Sequence, residues 1–405
     1  MIEPIKLKRS IGLIFLTFYG LGNILGAGIY VLFGKIAGIA GYYTPVAFIV
    51  ASVVAAFTAL TYAELSARLP LSAGEAIYLH RAFNYQRLSV AVGIMIALAG
   101  IVSAAAISRG FIGYLDVFIT LPDSLVIIML VLALGAIATW GISQSVALAT
   151  LMTLLELAGL LLIVDAGGHT LAELPTRLPE LIPSTDLFAW QGIFMGAFLA
   201  FYAYIGFEDM VNIAEEVKSP QRNMPRAITL ALIISTTLYI LIALIGTLSV
   251  PPQELAASDA PLALIYERIT GQSPVMISQI AIIAVINGAL VQIIMSARIF
   301  YGMSMQGWLP SRLSYVHATL RTPVVATALV VVLVLVFALW LPIVTLAKIT
   351  SYIVLMVFAL VNAALLVIKQ KAPYPYGIKI YPVWVPVLGL LTTIGLIFLE
   401  VYLHL

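Results

Sequence analysis

Three stretches of the chain hold residues whose types and spacing could do chemistry. The first is Gly26-Ala27-Gly28, preceded by Gly22, Asn23 and Ile24, inside an apolar run over 11–38. The second is Tyr202-Ala203-Tyr204-Ile205-Gly206, followed by Phe207, Glu208 and Asp209, in the middle of 187–217. The third is Glu156, a lone acid in TLLELAGLLL. Glycines among apolar residues weaken a helix, and a helix interrupted inside a membrane exposes N–H and C=O groups that lipid cannot satisfy. The break must therefore be buried in protein or face a water-filled cavity. Where a helix restarts, its free amides and positive dipole end favour an anion, by about 0.3 to 1 kcal/mol and up to roughly 2 when partly buried. Where the preceding half stops, free carbonyls can accept from an ammonium. Donors and acceptors side by side suit a zwitterion better than a sugar or an ion. An acid at mid-membrane costs roughly 2.5 to 3.5 kcal/mol, whether it is protonated or ionised and paired, so Glu208 and Glu156 are expensive residues.

The elements that must position these groups are membrane helices. Of 405 residues 62% are apolar and 9% charged, against roughly 25% charged in soluble domains. Apolar spans recur at about 11–38, 43–68, 86–118, 124–141, 144–165, 187–217, 226–250, 275–305, 322–341, 343–369 and 383–404. The chain is expected to be an all-α polytopic membrane protein of about eleven spans, forming one transmembrane domain over 1–405. The first apolar run exceeds the roughly 7 to 15 residues of a signal h-region, so the first helix is expected to be retained. With the N-terminus in the cytoplasm, fifteen of the twenty Lys and Arg fall on cytoplasmic ends, among them Lys6 and Lys8. This is the bias of the positive-inside rule. A multi-pass protein of the cell membrane with a cytoplasmic N-terminus is expected. The five tryptophans lie near span ends, where interfacial anchors belong.

Spans one and six open two successive five-span sets, 11–165 and 187–369, with 383–404 as a peripheral helix. Interrupted helices at corresponding positions of two halves point to a transporter site. An odd number of spans per set makes the second set start on the opposite side, so the repeat is inverted. Substrate is expected at the interface of the halves. Arg109 is expected to snorkel or to pair with Asp116, and Lys35 and Lys348 to anchor at the interface or to join an outer gate. On span eight Gln292 and Ser296 share a face at i, i+4, with Asn287 pointing away, and either face could line the cavity. Glu215, Glu216, Lys218, Arg222 and Arg226 form either a solvated helix end or an ion-pair latch.

The residues resemble a known family. Gly26-Ala27-Gly28, together with the run from Phe201 to Ile228, is similar to the amino acid/polyamine/organocation (APC) family of secondary transporters. Gly206-Phe207-Glu208, Ala214-Glu215-Glu216, Lys218 with Pro220, and Pro225-Arg226-Ala227-Ile228 stand at the family's spacing. Tyr62-Ala63-Glu64-Leu65 through Gly74-Glu75 to Tyr78 is also similar. The resemblance implies a five-plus-five inverted-repeat core with broken helices 1 and 6. It implies a substrate α-carboxylate on the amides of Ala27 and Gly28, and an α-ammonium on the carbonyls of Ile24, Tyr202 and Ile205. Tyr202 would be an aromatic lid, and Glu208 would match a carboxylate of gating and proton response. Ala27 departs from variants with serine there, so backbone donors must suffice. Glu156 best matches a span-five position that in some members is a lysine standing in for sodium. The central run of span eight, 285–295, has no Ser or Thr for a sodium site, so proton coupling or exchange is expected.

The expected partners are a small amino acid or amine, protons and the lipid bilayer, with no nucleic acid and no cofactor. The alternative is an amine or polyamine carrier of the same fold. A membrane-embedded enzyme would need convergent nucleophile, base or metal groups. The chain has no cysteine, and its histidines (His80, His169, His317, His404) have no ligand spacing. A channel would need charged rings or a repeated filter.

Overall fold

The computed structural model describes residues 9–71, 74–140, 146–373 and 375–403, with the side chains of Ala27 and 146–149 outside that description. Lys6, Lys8 and His404 lie outside the described residues. The chain runs through α1 (Leu13–Ile24), α2 (Ala27–Ala40), α3 (Thr44–Arg68), α4 (Gly74–Phe83), α5 (Gln86–Leu115), α6 (Asp123–Trp140), α7 (Val146–Gly167) and α8 (Leu174–Leu181). It continues with α9 (Leu187–Phe201), α10 (Pro220–Ser249), α11 (Pro252–Ala257), α12 (Pro261–Thr270), α13 (Val275–Met305), α14 (Val324–Trp340), α15 (Ile343–Lys371) and α16 (Trp384–Tyr402). Among the described residues the one non-helical pairing is a parallel bridge between Ile11 and Val217.

Nine helical stretches among the described residues are long and apolar enough to cross a membrane, and one of them, Gly28–Arg68, contains both α2 and α3. Leu13–Ile24 and Val324–Trp340 are shorter apolar helices. Together they account for the eleven spans read from the sequence. The side chains facing outward are apolar, with Met129, Leu132, Val332, Leu391 and Phe398 all more than half exposed. A soluble protein rarely shows so extended an apolar surface, whereas lipid accepts it. The long connections carry short helices: α8 in one, α11 and α12 in another, and α4 between α3 and α5.

The two interrupted spans sit at the centre. α1 packs on α7 and α10, α2 on α9 and α11, and α9 on α3, while α5 packs against α13 and α15 on the other side of the site. Successive spans alternate in direction, so the start of α10 and the α15–α16 connection return to the side of the N-terminus. That side is tied by main-chain bonds: Ser10 and Ile11 N–H donate to the Glu216 carbonyl at 2.9 and 3.0 Å, and Lys218 N–H donates to the Ile11 carbonyl at 2.8 Å. Next to it Glu64 is fully buried but satisfied. Arg68 holds one carboxylate oxygen at 2.7 Å, and Lys369 holds the other, also at 2.7 Å. Partners on both oxygens offset the desolvation cost of burying this carboxylate.

Of the three cations Arg109, Lys35 and Lys348, only Arg109 departs from the partner considered for it in the sequence. Arg109 does not pair with Asp116; its guanidinium reaches the Ala338 and Leu339 carbonyls at 2.6 and 3.3 Å. Those groups end α14 and have no intrahelical donor, so a cation there is favourable. Lys348 pairs with Glu400 of α16 at 2.7 Å. Lys35 bonds the Ala256 carbonyl at 3.0 Å and the Asp259 carboxylate at 3.1 Å, fastening α2 to the α11–α12 connection.

Candidate functional site

Both interruptions are real breaks, and they abut. α1 stops at Ile24, with Leu25 N–H bonded to the Leu21 carbonyl, and α2 restarts at Ala27 with no side chain capping its amides. In span six α9 gives way to a 3-10 turn over Tyr202–Tyr204, and the chain kinks at Ile205 and Gly206 before a second 3-10 segment, Glu208–Glu216. Gly206 has φ +132°, a conformation that favours glycine, and a Cβ there would fall 2.6 Å from the Asn23 carbonyl carbon. A Cβ on Gly28 would fall 2.8 Å from that of Ala203. The two glycines thus let one broken backbone lie directly on the other. Gly26 differs: the closest group to a Cβ there is the Gly22 carbonyl oxygen at 3.9 Å. Its open side faces the cavity.

That cavity, about 40 Å³, is lined by Asn23, Ile24, Gly26, Gly28, Tyr202 and Ile205, and across from them by Ser103 of α5 and by Asn287, Gly288 and Gln292 of α13. It has room for a few waters, so a substrate must open it. Its polar groups are positioned from several elements. The Tyr202 hydroxyl and the Ser103 hydroxyl are 2.8 Å apart. The Tyr239 hydroxyl of α10 reaches the Ile24 carbonyl at 2.6 Å and the Ala203 carbonyl at 2.9 Å, so one hydrogen is shared between the two breaks. Asn23 Nδ2 has no hydrogen-bond partner among the described residues. A polar group buried in that way at a cavity wall is available to a ligand.

A second cavity, on the N-terminal side, shares Ser103, Ile205 and Gln292 with the first and is lined also by Tyr62, Glu75, Glu208 and Asp209. Glu208 Oε2 accepts the Gly206 N–H at 2.8 Å, so this carboxyl closes the span-six break from within. The Tyr62 hydroxyl donates to Glu75 Oε1 at 3.0 Å. Glu75, on α4 in the connection outside the spans, is 4% exposed. Burial pushes its carboxyl up to about 7, against the lowering effect of the Tyr62 hydrogen bond.

Glu156 stands behind the first cavity. Asn287, which lines that cavity, donates to Glu156 Oε1 at 3.2 Å, and Oε2 has no partner among the described residues. The main chain of the same residue accepts from the Tyr30 hydroxyl at 2.6 Å. Of the residues singled out in the sequence, Ile24, Gly26, Gly28, Tyr202 and Ile205 line the first cavity and Glu208 the second. Ala27 is the first residue of α2, so its amide starts the restarting helix. Gly206, Ala203 and Tyr204 are behind the wall. Tyr204 donates to the Phe48 carbonyl at 3.1 Å and packs edge-on to Tyr239. Both faces considered for span eight contribute, through Asn287 and Gln292, whereas Ser296 bonds the Ala97 carbonyl at 3.1 Å. Sequence reasoning missed Asn23, Ser103, Tyr239 and Glu75 as site groups. Their signal was polarity inside long apolar runs, which does not by itself give direction.

The broken helices, their abutting backbones and the polar cavity between them define an integral membrane transport protein. A family model described as amino acid permease matches residues 11–403, and the chain belongs to that family. It is a transporter and not an enzyme. The chain is similar to the branched-chain amino acid permease BcaP of Bacillus subtilis (strain 168), with 28% identity over 391 residues, 91% of this chain and 82% of that protein. It is equally similar to the methylthioribose transporter of the same organism, at 28% over 391 residues, 91% of this chain and 83% of that protein. It is 29% identical over 390 residues to the cationic amino acid transporter 4, vacuolar, of Arabidopsis thaliana, covering 91% of this chain and 65% of that protein.

Proposed function

We propose that this chain carries small amino acids across the cell membrane by alternating access, coupled to protons or to exchange of a second amino acid and not to sodium. The observation that carries the reading is the uncapped start of α2 facing the same cavity as the carbonyl end of α1. The substrate carboxylate rests on the amides of Ala27 and Gly28, where the helix dipole favours an anion. The ammonium rests on the carbonyls of Ile24, Tyr202 and Ile205. The Ile24 carbonyl already accepts from Tyr239 but has a second lone pair for the ammonium. An amine without a carboxylate would leave the α2 amides unused, which favours the amino acid over the amine reading. The names of two relatives, an amino acid permease and an amino acid transporter, agree with it.

The two five-span sets, 11–165 and 187–369, move against each other as inverted repeats around this site, with 383–404 peripheral. The excess of Lys and Arg on the N-terminal side supports a cytoplasmic N-terminus. The carboxyls of Glu208, Asp209 and Glu75 line the route from the substrate cavity to that side and are the proton-responsive groups. Glu156 reports to the substrate through Asn287. The reading against sodium rests on span eight, whose central run 285–295 offers no Ser or Thr hydroxyl to such an ion.

Uptake in proteoliposomes tests the coupling. A Glu208→Gln chain keeps an oxygen for the Gly206 amide and is expected to fold, while its uptake loses most of the wild-type response to an imposed pH gradient. Replacing sodium by a large organic cation is expected to leave wild-type uptake unchanged. Wild-type pH response in the Glu208→Gln chain removes Glu208 from the mechanism, and a collapse of uptake without sodium rules out the proposed coupling.

A further inference from the structure

A cleft unrelated to the substrate site opens on the N-terminal side, between the start of α10 and the connection from α15 to α16. It has a volume of about 560 Å³, and its lining includes Arg222, Arg226, Thr229, Leu230, Lys379 and Tyr381. The two arginines and Lys379 are exposed. Among the described residues none of these three cations takes part in an ion pair. Three positive charges, two on α10 and one on the facing connection, therefore line one cleft whose lining, among the described residues, contains no carboxylate.

The walls are fixed from behind. Tyr381 N–H donates to the buried Glu64 carboxylate at 2.9 Å, and its carbonyl accepts from Lys369 at 2.6 Å. This pins the connection to α3 and α15. Lys379 lies 5.1 Å from the Tyr381 ring centroid, so its ammonium is oriented by the aromatic face. On α10 the spacing is helical: Arg222, Arg226, Leu230, Ile233 and Thr237 follow at steps of three or four and share one face. That face changes character along its length. Arg222 and Arg226 stand at the polar end, and Leu230 (41% exposed) and Ile233 (55% exposed) continue it as apolar surface. Arg226 and Ile233 are seven residues apart, about 10 Å along a helix at 1.5 Å per residue.

We propose that this cleft binds an anionic phospholipid, its phosphodiester held by Arg222, Arg226 and Lys379 and one acyl chain lying along Leu230 and Ile233. Arginine's planar fork suits a phosphate's oxygens, and lysine adds a point charge. Basic pockets between membrane helices at the interface take acidic head groups on these grounds. The apolar continuation selects a lipid over free phosphate, because an inorganic anion makes no use of it. The site is independent of the substrate reading and stands or falls separately.

The test is binding of phosphatidylglycerol, phosphatidylcholine and inorganic phosphate to the purified full chain in detergent, read by native mass spectrometry and by lipid-dependent thermal protection. The wild type is expected to prefer phosphatidylglycerol to phosphatidylcholine by tenfold or more. The Arg222→Gln/Arg226→Gln/Lys379→Gln chain is expected to bind phosphatidylglycerol roughly a hundredfold more weakly, at about fivefold per cation, with phosphatidylcholine unchanged. Lys379→Gln alone, on a connection and not on a spanning helix, keeps the test open should the triple variant not fold, and is expected to lose about fivefold. Affinity within twofold of wild type in these variants overturns the proposal. Displacement of phosphatidylglycerol by inorganic phosphate at comparable concentration overturns the lipid assignment in favour of a free-anion site.

Discussion

At the scale of single residues, the site depends on three glycines with different jobs. Gly206 and Gly28 are demanded by the fold: one has a positive φ, and a Cβ on either would press on the opposite broken strand of backbone. Gly26 has open space on its cavity side. Gly206→Ala is accordingly expected to lower stability by about 2 to 4 kcal/mol, from backbone strain plus overpacking, while Gly26→Ala stays within about 0.5 to 1 kcal/mol of wild type, the ordinary range for a glycine-to-alanine change. Thermal unfolding in detergent separates the two, and equal destabilisation would contradict the assignment. Glu75 gives a pH prediction. Its carboxyl titrates at about 7 in the fold, against an ordinary value of 4.5. Between those values the folded chain holds a proton that the unfolded chain has released, so stability falls as pH rises through this window and is level outside it. The shift corresponds to about 3 kcal/mol at 1.36 kcal/mol per unit. Compared with Glu75→Gln, the wild type is expected to lose thermal stability as pH rises from 4.5 to about 7. A constant difference between the two over that range would show that Glu75 is not a buried neutral acid.

At the scale of elements, the sequence carried the helices and the breaks, because lipid makes both costly to get wrong. Every span read from an apolar run is a helix in the structure, and spans one and six are interrupted beside the glycines that suggested it. Boundaries were less legible. α10 begins at Pro220, six residues before the span read from hydropathy, because its first turns are charged and lie against the cleft. Helix phase was legible only in part. Gln292 and Asn287 point to different sides of α13 in projection, yet both reach the cavity, which lies where α13 crosses the breaks. The partners of Arg109 were not legible at all, since the carbonyls that receive it belong to α14, 229 and 230 positions away. Tyr239 was missed for the same reason: a tyrosine in an apolar helix gives no sign that its hydroxyl bridges two breaks in other spans. What sequence revealed was the expense of a group in lipid; what it withheld was the group that offsets it.

At the scale of the whole molecule, two cavities follow one another along the path from the breaks to the N-terminal side, sharing Ser103, Ile205 and Gln292. Beyond them the way is closed by the Ile11–Val217 bridge and by the Glu64 ion cluster. On the opposite side Lys35 and Asp259 fasten α2 to its neighbouring connection. On the proposed function the substrate would lie between two barriers, each made of contacts that can be released without unfolding a helix, which is the arrangement the proposed alternating access needs. The central claim is that the amides beside Gly26 hold the substrate, and Gly26→Leu addresses it most directly, because the added side chain enters the cavity and not a packed wall. The measurement is counterflow of a labelled amino acid in proteoliposomes, paired with thermal unfolding of the same preparation. The account predicts saturable counterflow in the wild type and its loss in Gly26→Leu at near wild-type melting temperature. Wild-type counterflow in the folded variant would contradict it.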